Sequence, residues 1–364
     1  MNICIDMRPA LSVATGVGTY LINLVKAFSE IDQQNEYHLF SSSWKERFSG
    51  ASYGENFRIH DYHLPVRFLN YAWHRFSRPT IETLLRTSID VAHSPTPLLI
   101  PSHRAHRVTM VHDLYFYFHP EHTAREIHRD YRDLVLDHCR QSDAIISVSE
   151  HTKEQLVEHL KIPASKVYTI RHGADSFYVE RSPQNELDGA RTKFGIRKPF
   201  FLFVGSLEPR KNLTTLLRAF DLLREDAELV LAGPESWRQD LKILPNERVI
   251  KTGYVSKQEL RALYQQAVAL VLPSLEEGFG LPLVEAMAAR TPVLASDIPI
   301  FREIANDCFF PVSSNNVEEL YTAMSKMYGS SEIRQRLVAK GEERLKRFSW
   351  SETAQKTLDI YRNL

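Results

Sequence analysis

The sequence contains few cysteines and no long apolar run. Its three cysteines, Cys4, Cys139 and Cys308, are spread over 364 residues. Their odd number and wide spacing are typical of neither a disulfide framework nor a metal site, so a reducing cytoplasm is the expected compartment. No stretch approaches the roughly 18 apolar residues of a membrane-spanning helix. Asp6 interrupts the apolar run at the start, which therefore does not read as a signal peptide.

The chain also lacks an excess of charge of either sign. Lys+Arg and Asp+Glu both number 45, which gives a formal net charge of zero. Non-specific nucleic-acid binding depends on an excess of positive charge, so we expect no nucleic-acid partner. With 43% hydrophobic and 25% charged residues, the composition is that of an ordinary globular protein. The length suits two domains of about 100–200 residues each.

Short apolar runs alternate with amphipathic stretches, which predicts parallel sheets covered by helices. In the first half the runs predicted to be strands are NICIDM, YHLFSS, FRIHDY, DVAHS, RVTMVHD, AIISVS and VYTIRHG. In the second half they are FFLFVGS, ELVLAGP, RVIKTGYV, AVALVLPS and PVLASD. The pattern therefore predicts an α/β protein with two Rossmann-like, doubly wound units that face each other across a cleft. Such sheets bind ligands at the carboxyl ends of their strands.

A change of composition in mid-chain supports the division into two units. All 15 histidines lie between His38 and His172, and a stretch rich in turn residues and charge follows. We expect a first unit over 1–176, a linker over 177–198 and a second unit over 199–348. The final helix, 349–364, is a candidate to pack back on the first unit.

Two loops of the second unit carry candidate chemistry. In PSLEEGFGLPLVEAMAA (273–289), Gly278 and Gly280 would let backbone N–H groups approach an anion at a helix amino terminus. Glu285, about one turn into that helix, would then reach a vicinal diol such as a ribose, and Glu277 a second polyol. The alternative is a capped helix with two solvated glutamates.

The second loop, FLFVGSLEPRKNLTTLL, follows a strand that ends near Gly205. Arg210 and Lys211 come just before a predicted helix, where positive charge opposes the helix dipole at about 0.3–1 kcal/mol per residue. We see no structural reason for these cations, whereas a bound diphosphate would make them favourable. The two loops together predict a site for a nucleotide sugar.

These motifs resemble a known family. GSLEPRKN, GYVS, EEGFGLPLVEAMA and PVLASDIPIFRE are similar to the retaining glycosyltransferases of family 4, which have the GT-B fold. The likeness covers nearly the whole chain and is looser in the N-terminal half. VHDLYFYFHPE, ISVSEHTKEQL and SDIPIFRE bring it closest to bacterial mannosyltransferase-like members that build surface polysaccharides such as lipopolysaccharide.

The resemblance implies roles for individual residues. It implies that Arg210 and Lys211 neutralise the diphosphate, that Glu285 binds the ribose, and that His112 contacts the donor sugar near the reacting carbon. Glu277 and the backbone amides that follow it would hold the transferred sugar. The donor-binding positions are Gly16, Gly18, Gly205, Tyr254, Val255, Gly278, Phe279, Gly280, Leu281 and Glu285. His172 departs from the family pattern, which more often has asparagine there.

The N-terminal signals are weak without the resemblance. GVGTYL has Leu21 at the third glycine position of a dinucleotide-binding loop, and no acid follows the next strand, which argues against a dehydrogenase. His112 by itself is more often a core histidine. Its place after the predicted strand RVTMV favours a functional role.

The sequence has no Asp-x-Asp motif, which metal-dependent glycosyltransferases use to hold a divalent ion on the diphosphate. Positive side chains and helix dipoles would replace the ion, so we expect catalysis without metal or other cofactor. The family retains the anomeric configuration. Departure of the leaving group would come first, with the acceptor hydroxyl attacking the same face.

One segment of the first unit bears on the acceptor. VRFLNYAWHRFSRPTIETLLR (66–86) mixes aromatic and basic residues at helical spacing, which suits a helix lying on an anionic membrane. The candidate contacts are Arg67, Trp73, Arg75 and Arg78. The alternative is a helix packed on the sheet with its arginines in water.

The favoured function is a retaining hexosyltransferase that uses a nucleotide sugar and a growing, lipid-linked or free, surface glycan. Mannose from GDP-mannose is one candidate donor. A nucleotide-sugar 2-epimerase of the same fold is an alternative, and it would turn over donor without an acceptor. A non-catalytic nucleotide-sugar-binding subunit is another. We expect a cytoplasmic protein, with the inner face of the cell membrane as a candidate site of peripheral attachment.

Overall fold

A computed structural model describes residues 1–11, 16–48, 53–122, 131–234 and 246–364. The chain forms two compact units. The first combines Met1–Gly173 with Ser349–Leu364, and the second is Ala174–Phe348. The predicted composition boundary after His172 thus lies close to the structural one.

The first unit is built on a parallel sheet of seven strands. They are β1 (Asn2–Asp6), β2 (Glu36–Ser42), β3 (Phe57–Tyr62), β4 (Val91–Ser94), β5 (His106–Val111), β6 (Ala144–Ser147) and β7 (Val167–Thr169). Their order is β3-β2-β1-β4-β5-β6-β7. All seven strands predicted for this half are confirmed. The order reverses between β1 and β4, which makes the carboxyl ends of these strands a topological switch point.

In the described part of the first unit, six helices connect these strands: α1 (Gly16–Ile31), α2 (Val66–Phe76), α3 (Ile81–Leu85), α4 (Tyr115–Phe118), α5 (Tyr131–Gln141) and α6 (Glu150–Glu158). Short 3-10 turns lie at Arg8–Ala10, Pro120–His122 and Ala164–Lys166. Strands β4 and β6 are buried along their whole length, as expected for central parallel strands covered on both faces. Strand β3, at the sheet edge, is only partly buried.

The second unit repeats the architecture with a parallel sheet of six strands. They are β8 (Phe200–Val204), β9 (Glu228–Ala232), β10 (Val249–Gly253), β11 (Ala269–Leu272), β12 (Val293–Ser296) and β13 (Phe310–Val312), in the order β10-β9-β8-β11-β12-β13. The five predicted strands are confirmed. Strand β13 was not predicted, since it has three residues and contains Pro311, which is acceptable at a sheet edge.

The helices of this unit are α7 (Gln184–Phe194), α8 (Leu213–Leu222), α9 (Lys257–Gln266), α10 (Leu281–Ala288), α11 (Pro299–Ala305), α12 (Val317–Gly329) and α13 (Ser331–Leu345). Further 3-10 turns lie at Ser176–Tyr178 and Pro209–Lys211. Helix α9 begins with a capping box in which Ser256 and Glu259 bond each other's backbone N–H.

The stretch 177–198, expected to be a linker, lies inside the second unit. Its helix α7 packs on α9. The buried guanidinium of Arg261 on α9 donates hydrogen bonds to Ser182 Oγ at 3.0 Å and to Glu186 Oε2 at 2.9 Å. A buried cation needs such partners. The stretch 177–198 is therefore held in place by Arg261, whose charge Glu186 neutralises.

The last helix, α14 (Trp350–Arg362), belongs to the first unit and packs on α1. Thr353 Oγ1 donates to the carbonyl of Arg171 at 2.8 Å. A Cβ at Gly173 would lie 2.3 Å from the backbone nitrogen of Trp350, so only glycine permits this approach.

Candidate active site

The predicted phosphate-binding residues of the second unit lie at its topological switch point. Arg210 and Lys211 follow β8, and Glu277 follows β11, its neighbour in the sheet. The two loops are joined by a hydrogen bond from the backbone N–H of Leu275 to the carbonyl of Arg210, at 2.8 Å. Asn212 Nδ2 donates to the carbonyl of Pro273 at 3.2 Å. The parallel sheet thus brings together residues that are 66 positions apart.

Glu277 forms an ion cluster with both cations. Its Oε1 lies 2.6 Å from Lys211 Nζ, and its Oε2 lies 2.9 Å from Arg210 Nη1. Ser274 Oγ donates a third hydrogen bond to Oε1 at 2.8 Å. Lys211 and Glu277 are 5% and 6% exposed, so the pair is shielded from water. Arg210 also contacts Glu208, at 3.1 Å.

The cluster fixes the charge state of its members. Burial alone would raise the pKa of Glu277, but the charges of Lys211 and Arg210 lower it to about 2. Burial and the charge of Arg210 lower the pKa of Lys211, and Glu277 opposes that shift. The carboxylate is therefore ionised at neutral pH.

This geometry corrects one premise of the sequence analysis. The two adjacent cations were judged to lack a structural reason, but Glu277 pairs with both. They also lie in the 3-10 turn Pro209–Lys211, before Asn212, which precedes α8 with a φ of 52°. The premise was wrong because the pairing carboxylate is far away in sequence.

The glycine loop after β11 leads directly into α10. Gly280 is the residue before the helix and has a φ of 85°, which favours glycine. A Cβ there would also lie 2.9 Å from the ring of Phe301. Leu281 and Pro282 open the helix, as predicted, because proline loses no hydrogen bond in a first turn. Gly278 and Phe279 are buried, and the ring of Phe279 contacts that of Phe348 edge-on.

Glu285 lies one turn into α10 and is half-buried. The hydroxyl of Tyr264 donates a hydrogen bond to its Oε2 at 2.9 Å. Burial raises the pKa of Glu285 to about 7, although Tyr264 opposes the shift. The two glutamates of the motif thus have opposite environments, because Glu277 faces two cations and Glu285 mainly faces tyrosines.

The other predicted donor-binding residues of this unit lie at neighbouring strand ends. Gly205 follows β8 with a φ of 143°, and a Cβ there would lie 3.5 Å from Lys211 Cε. The next strand end is much tighter, since a Cβ at Gly233 would lie 2.1 Å from the carbonyl oxygen of Gly205. Tyr254 and Val255 follow β10, and the Tyr254 side chain is 56% exposed.

In the first unit, His112 directly follows β5. Its Nε2 donates to the carbonyl of Pro95 at 3.0 Å, which assigns Nδ1 as the acceptor nitrogen of the neutral ring. Burial lowers its pKa. The rings of Tyr20 and His172 lie 5.6 and 5.7 Å from it between centroids, and Trp350 stacks on His172. His172, where the sequence departs from the family pattern, thus belongs to a buried aromatic cluster.

Gly16 and Gly18 lie in the first turn of α1 rather than in a loop before it. Residues 12–15, immediately before them, are outside the described residues. The sequence analysis did not single out Asp6 and Arg8, which form an ion pair at the end of β1. Arg8 forms a bidentate ion pair with Asp6, donates to Asn70 Oδ1 at 2.7 Å and lies over the ring of Trp73. The signal was an acid and a base two residues apart at a strand end.

The segment 66–86 forms two helices, α2 and α3, and α2 packs on the sheet with an exposed aromatic face. Trp73 was expected to contact acceptor or membrane, and this is wrong. The residue is 3% exposed, packs in the core with Phe40 and Leu69, and donates to the carbonyl of Pro79. The exposed side chains of this surface are Arg67, Phe68, Tyr71, Arg75, Phe76 and Arg78.

Among the described residues, no helix is long and apolar enough to span a membrane. The same part of the chain contains no cluster of three His, Cys, Asp or Glu side chains arranged to hold a metal ion.

Two family models match the chain, one to each half. "Glycosyltransferase Family 4" matches residues 14–176, and "Glycosyl transferases group 1" matches residues 188–344. The chain belongs to the glycosyltransferases of family 4 type. The expected family is therefore confirmed.

Curated relatives of this glycosyltransferase include O-antigen chain mannosyltransferase B of Escherichia coli, which is 25% identical over the full length of both chains. O-antigen chain mannosyltransferase RfbU of Salmonella typhimurium is 26% identical over 64% of this chain and 65% of that protein. The serotype-specific mannosyltransferase WbdA of Escherichia coli is 28% identical over 62% of this chain but is longer, and 29% of it is matched.

Solved structures similar to the glycosyltransferase confirm the GT-B fold. Sucrose-phosphate synthase from Thermosynechococcus elongatus has a TM-score of 0.79 at 18% identity, over 100% of this chain and 98% of that one. WaaG, a glycosyltransferase involved in lipopolysaccharide biosynthesis, has a TM-score of 0.73 at 16% identity, over 99% of each chain. HepE of Anabaena in complex with UDP-glucose has a TM-score of 0.72 at 15% identity, over the whole of both chains.

The ion cluster predicts a large stability difference between two charge-removing substitutions. Glu277→Gln should lower the free energy of unfolding at pH 7 by about 3–5 kcal/mol, because Lys211 stays buried without its carboxylate. Asp297→Asn, which breaks the exposed pair with Arg302, should change it by less than about 1 kcal/mol. Denaturant titration of both variants measures the two effects.

The difference in free energy of unfolding between wild type and Glu277→Gln should also depend on pH. The pKa of Glu277 falls from its ordinary value of 4.5 to about 2 on folding, so its stabilisation is complete above pH 4.5 and is lost towards pH 2. Between pH 5 and pH 3 the gap between wild type and variant should shrink by about 2 kcal/mol. A gap that stays constant over this range would contradict the paired state of Glu277.

Proposed function

We propose that the glycosyltransferase moves a hexose from a nucleotide sugar to a growing surface glycan with retention of anomeric configuration. The observation that carries this proposal is the cluster of Arg210, Lys211 and Glu277 beside the glycine loop at the amino end of α10. Relatives named as O-antigen mannosyltransferases support a mannosyl donor such as GDP-mannose. The fold is shared with a protein solved with UDP-glucose, so a uridine nucleotide is the competing donor.

The ion cluster suits a diphosphate leaving group. Glu277 holds the two cations in place at the strand ends, so little reorganisation is needed when an anion arrives. Negative charge grows on the departing phosphate as the glycosidic bond breaks. Arg210 and Lys211 stabilise that charge, and the N–H groups at the start of α10 add the favourable end of a helix dipole.

Retention follows from attack of the acceptor on the face that the leaving group departs from. The bond from the anomeric carbon to the phosphate oxygen breaks first and leaves an oxocarbenium-like sugar. The acceptor hydroxyl then attacks from the same face and gives its proton to the departing phosphate oxygen. The acceptor nitrogen of neutral His112 is suited to a hydrogen bond from a sugar hydroxyl.

Two other functions would differ from glycosyl transfer in how the donor is consumed. A 2-epimerase of this fold would convert or hydrolyse the nucleotide sugar without any glycan acceptor. A non-catalytic subunit would bind the donor and leave it intact. Thermal-shift measurements with GDP, UDP and ADP identify the base, and donor turnover with and without a glycan acceptor then separates the three functions.

Arg210→Ala should reduce transfer by about 10²–10³-fold while the protein stays folded, because the developing phosphate charge loses one donor. Arg218→Ala, which removes an exposed arginine of α8, is the matched control and should leave transfer unchanged. The readout is the initial rate of acceptor-dependent donor consumption. If folded Arg210→Ala keeps nearly the wild-type rate, Arg210 does not stabilise the departing phosphate.

Transfer should continue in excess EDTA. We propose that the two cations replace a divalent ion on the diphosphate, which makes metal unnecessary. The assay compares initial rates before chelation, after chelation and after addition of Mn²⁺ or Mg²⁺. Loss of activity on chelation, with recovery on adding metal, would reject the metal-independent mechanism.

We also propose that the protein attaches to the inner face of the cell membrane, where a lipid-linked acceptor would be presented. The exposed face of α2 combines three aromatic rings with basic side chains. Phe68, Tyr71 and Phe76 are 75%, 64% and 61% exposed. Exposed aromatic residues beside positive charge suit the interface of an anionic bilayer.

Replacing Arg67, Arg75 and Arg78 with glutamine should release the protein from anionic vesicles, since each basic residue near such a surface contributes about 1 kcal/mol at low salt. Flotation with phosphatidylglycerol vesicles at low and high salt measures this. The control replaces Arg218, Arg224 and Arg336, which are exposed arginines of the second unit. Equal flotation of the two triple variants, or a wild type that never floats, would reject the membrane surface.

A further inference from the structure

The ribose-binding candidate Glu285 is held by residues that the sequence motif does not include. Tyr264, on α9, is fully buried and donates from its hydroxyl to Glu285 Oε2 at 2.9 Å. Tyr178, in the 3-10 turn Ser176–Tyr178, is 4% exposed and packs edge-on against Tyr264, with ring centroids 5.7 Å apart. This turn also contacts α10. Three separate elements therefore converge on one carboxylate.

Two residues of opposite charge act on this carboxylate from the neighbouring elements. Asp175, just before the 3-10 turn, raises the pKa of Glu285, and Lys257 at the start of α9 lowers it. These two residues form an ion pair with each other at 2.5 Å. The hydroxyl of Tyr178, like that of Tyr264, lowers the pKa of Glu285. The hydrogen bond from the Tyr264 hydroxyl is thus the main direct support of the ionised carboxylate.

We propose that Tyr264, backed by Tyr178, is a positioning residue that keeps Glu285 ionised and oriented to accept both hydroxyls of the donor ribose. The inference rests on the ribose role of Glu285 in the proposed function. The tyrosine hydroxyl occupies one lone pair of Oε2, and Oε1 with the second lone pair of Oε2 remains for a vicinal diol. A neutral carboxyl group would accept these hydrogen bonds less well, so donor affinity depends on ionisation of Glu285.

The environment of Glu285 makes this dependence measurable near neutrality. Burial raises its pKa to about 7, so wild-type affinity for the donor should rise as pH increases through 7. Removing the Tyr264 hydroxyl removes a hydrogen bond that favours the ionised form, which moves the midpoint upward. A midpoint higher by about one pH unit lowers the ionised fraction at pH 7 roughly fivefold.

The test is calorimetric titration between pH 6 and pH 9 with GDP-mannose and UDP-glucose, using whichever binds. The diphosphate of a nucleotide sugar is a diester, so its own ionisation does not change over this range. The variants are Tyr264→Phe, Tyr178→Phe and Glu285→Gln. The control is Tyr328→Phe, whose hydroxyl lies on α12, 3.4 Å from the carbonyl of Asp226.

Tyr264→Phe should raise the midpoint by about one pH unit, bind about fivefold more weakly at pH 7 and return to within about twofold of wild type at pH 9. Tyr178→Phe should shift the midpoint in the same direction, and Tyr328→Phe should match wild type. Glu285→Gln should bind weakly at every pH with a flat profile. A merely structural role would instead lower the affinity of Tyr264→Phe equally at all pH values.

The outcomes separate this inference from the proposed function. If Glu285→Gln weakens binding while Tyr264→Phe keeps the wild-type pH profile, the tyrosine role is overturned and the ribose role stands. A uniform loss of affinity in Tyr264→Phe also overturns the tyrosine role. If Glu285→Gln binds the nucleotide sugar like wild type, the ribose assignment itself fails and the tyrosine role fails with it.

Discussion

The pairing of Glu277 with two cations at the β8–β11 switch point is the constraint on which the second unit's site depends. A buried carboxylate between a lysine and an arginine is strong evidence for a fixed geometry and weak evidence for net stability, because desolvation offsets much of the attraction. Apolar residues would fill the same space at lower electrostatic cost. We therefore attribute the three charges at the strand ends to the diphosphate that we propose they bind.

The same motif places two glutamates eight residues apart in environments of opposite sign. Glu277 stays ionised because Lys211 and Arg210 face it. Glu285 lies among tyrosines, and burial brings its pKa to about 7. In the proposed function, one glutamate is a constant counter-ion for the cations that bind phosphate, and the other is a hydrogen-bond acceptor whose charge responds to pH. Helix α10 begins just after Glu277 and carries Glu285, so in the proposed function it sets the distance between the phosphate and ribose positions.

Much of this architecture could be predicted from the sequence because it is local. Apolar runs bounded by turn residues indicated twelve strands, and Leu281–Pro282 indicated the start of α10. Pairings distant in sequence could not be predicted. The hydrogen-bond partners of Arg261 lie in the polar stretch 177–198 and make it part of the second unit. Tyr264 contacts Glu285 only because α9 and α10 pack together. The prediction for Trp73 was wrong for a related reason. Aromatic and basic residues at helical spacing do not show which face of the helix is buried.

A crystal structure of the protein with GDP or UDP would test the central claim most directly. The account predicts β-phosphate oxygens within hydrogen-bonding distance of the Arg210 guanidinium and Lys211 Nζ, and ribose hydroxyls on the carboxylate of Glu285. Glu277 should keep its contact with Lys211 when the nucleotide is bound. A diphosphate bound elsewhere, with Arg210, Lys211 and Glu277 paired only to one another, would contradict it.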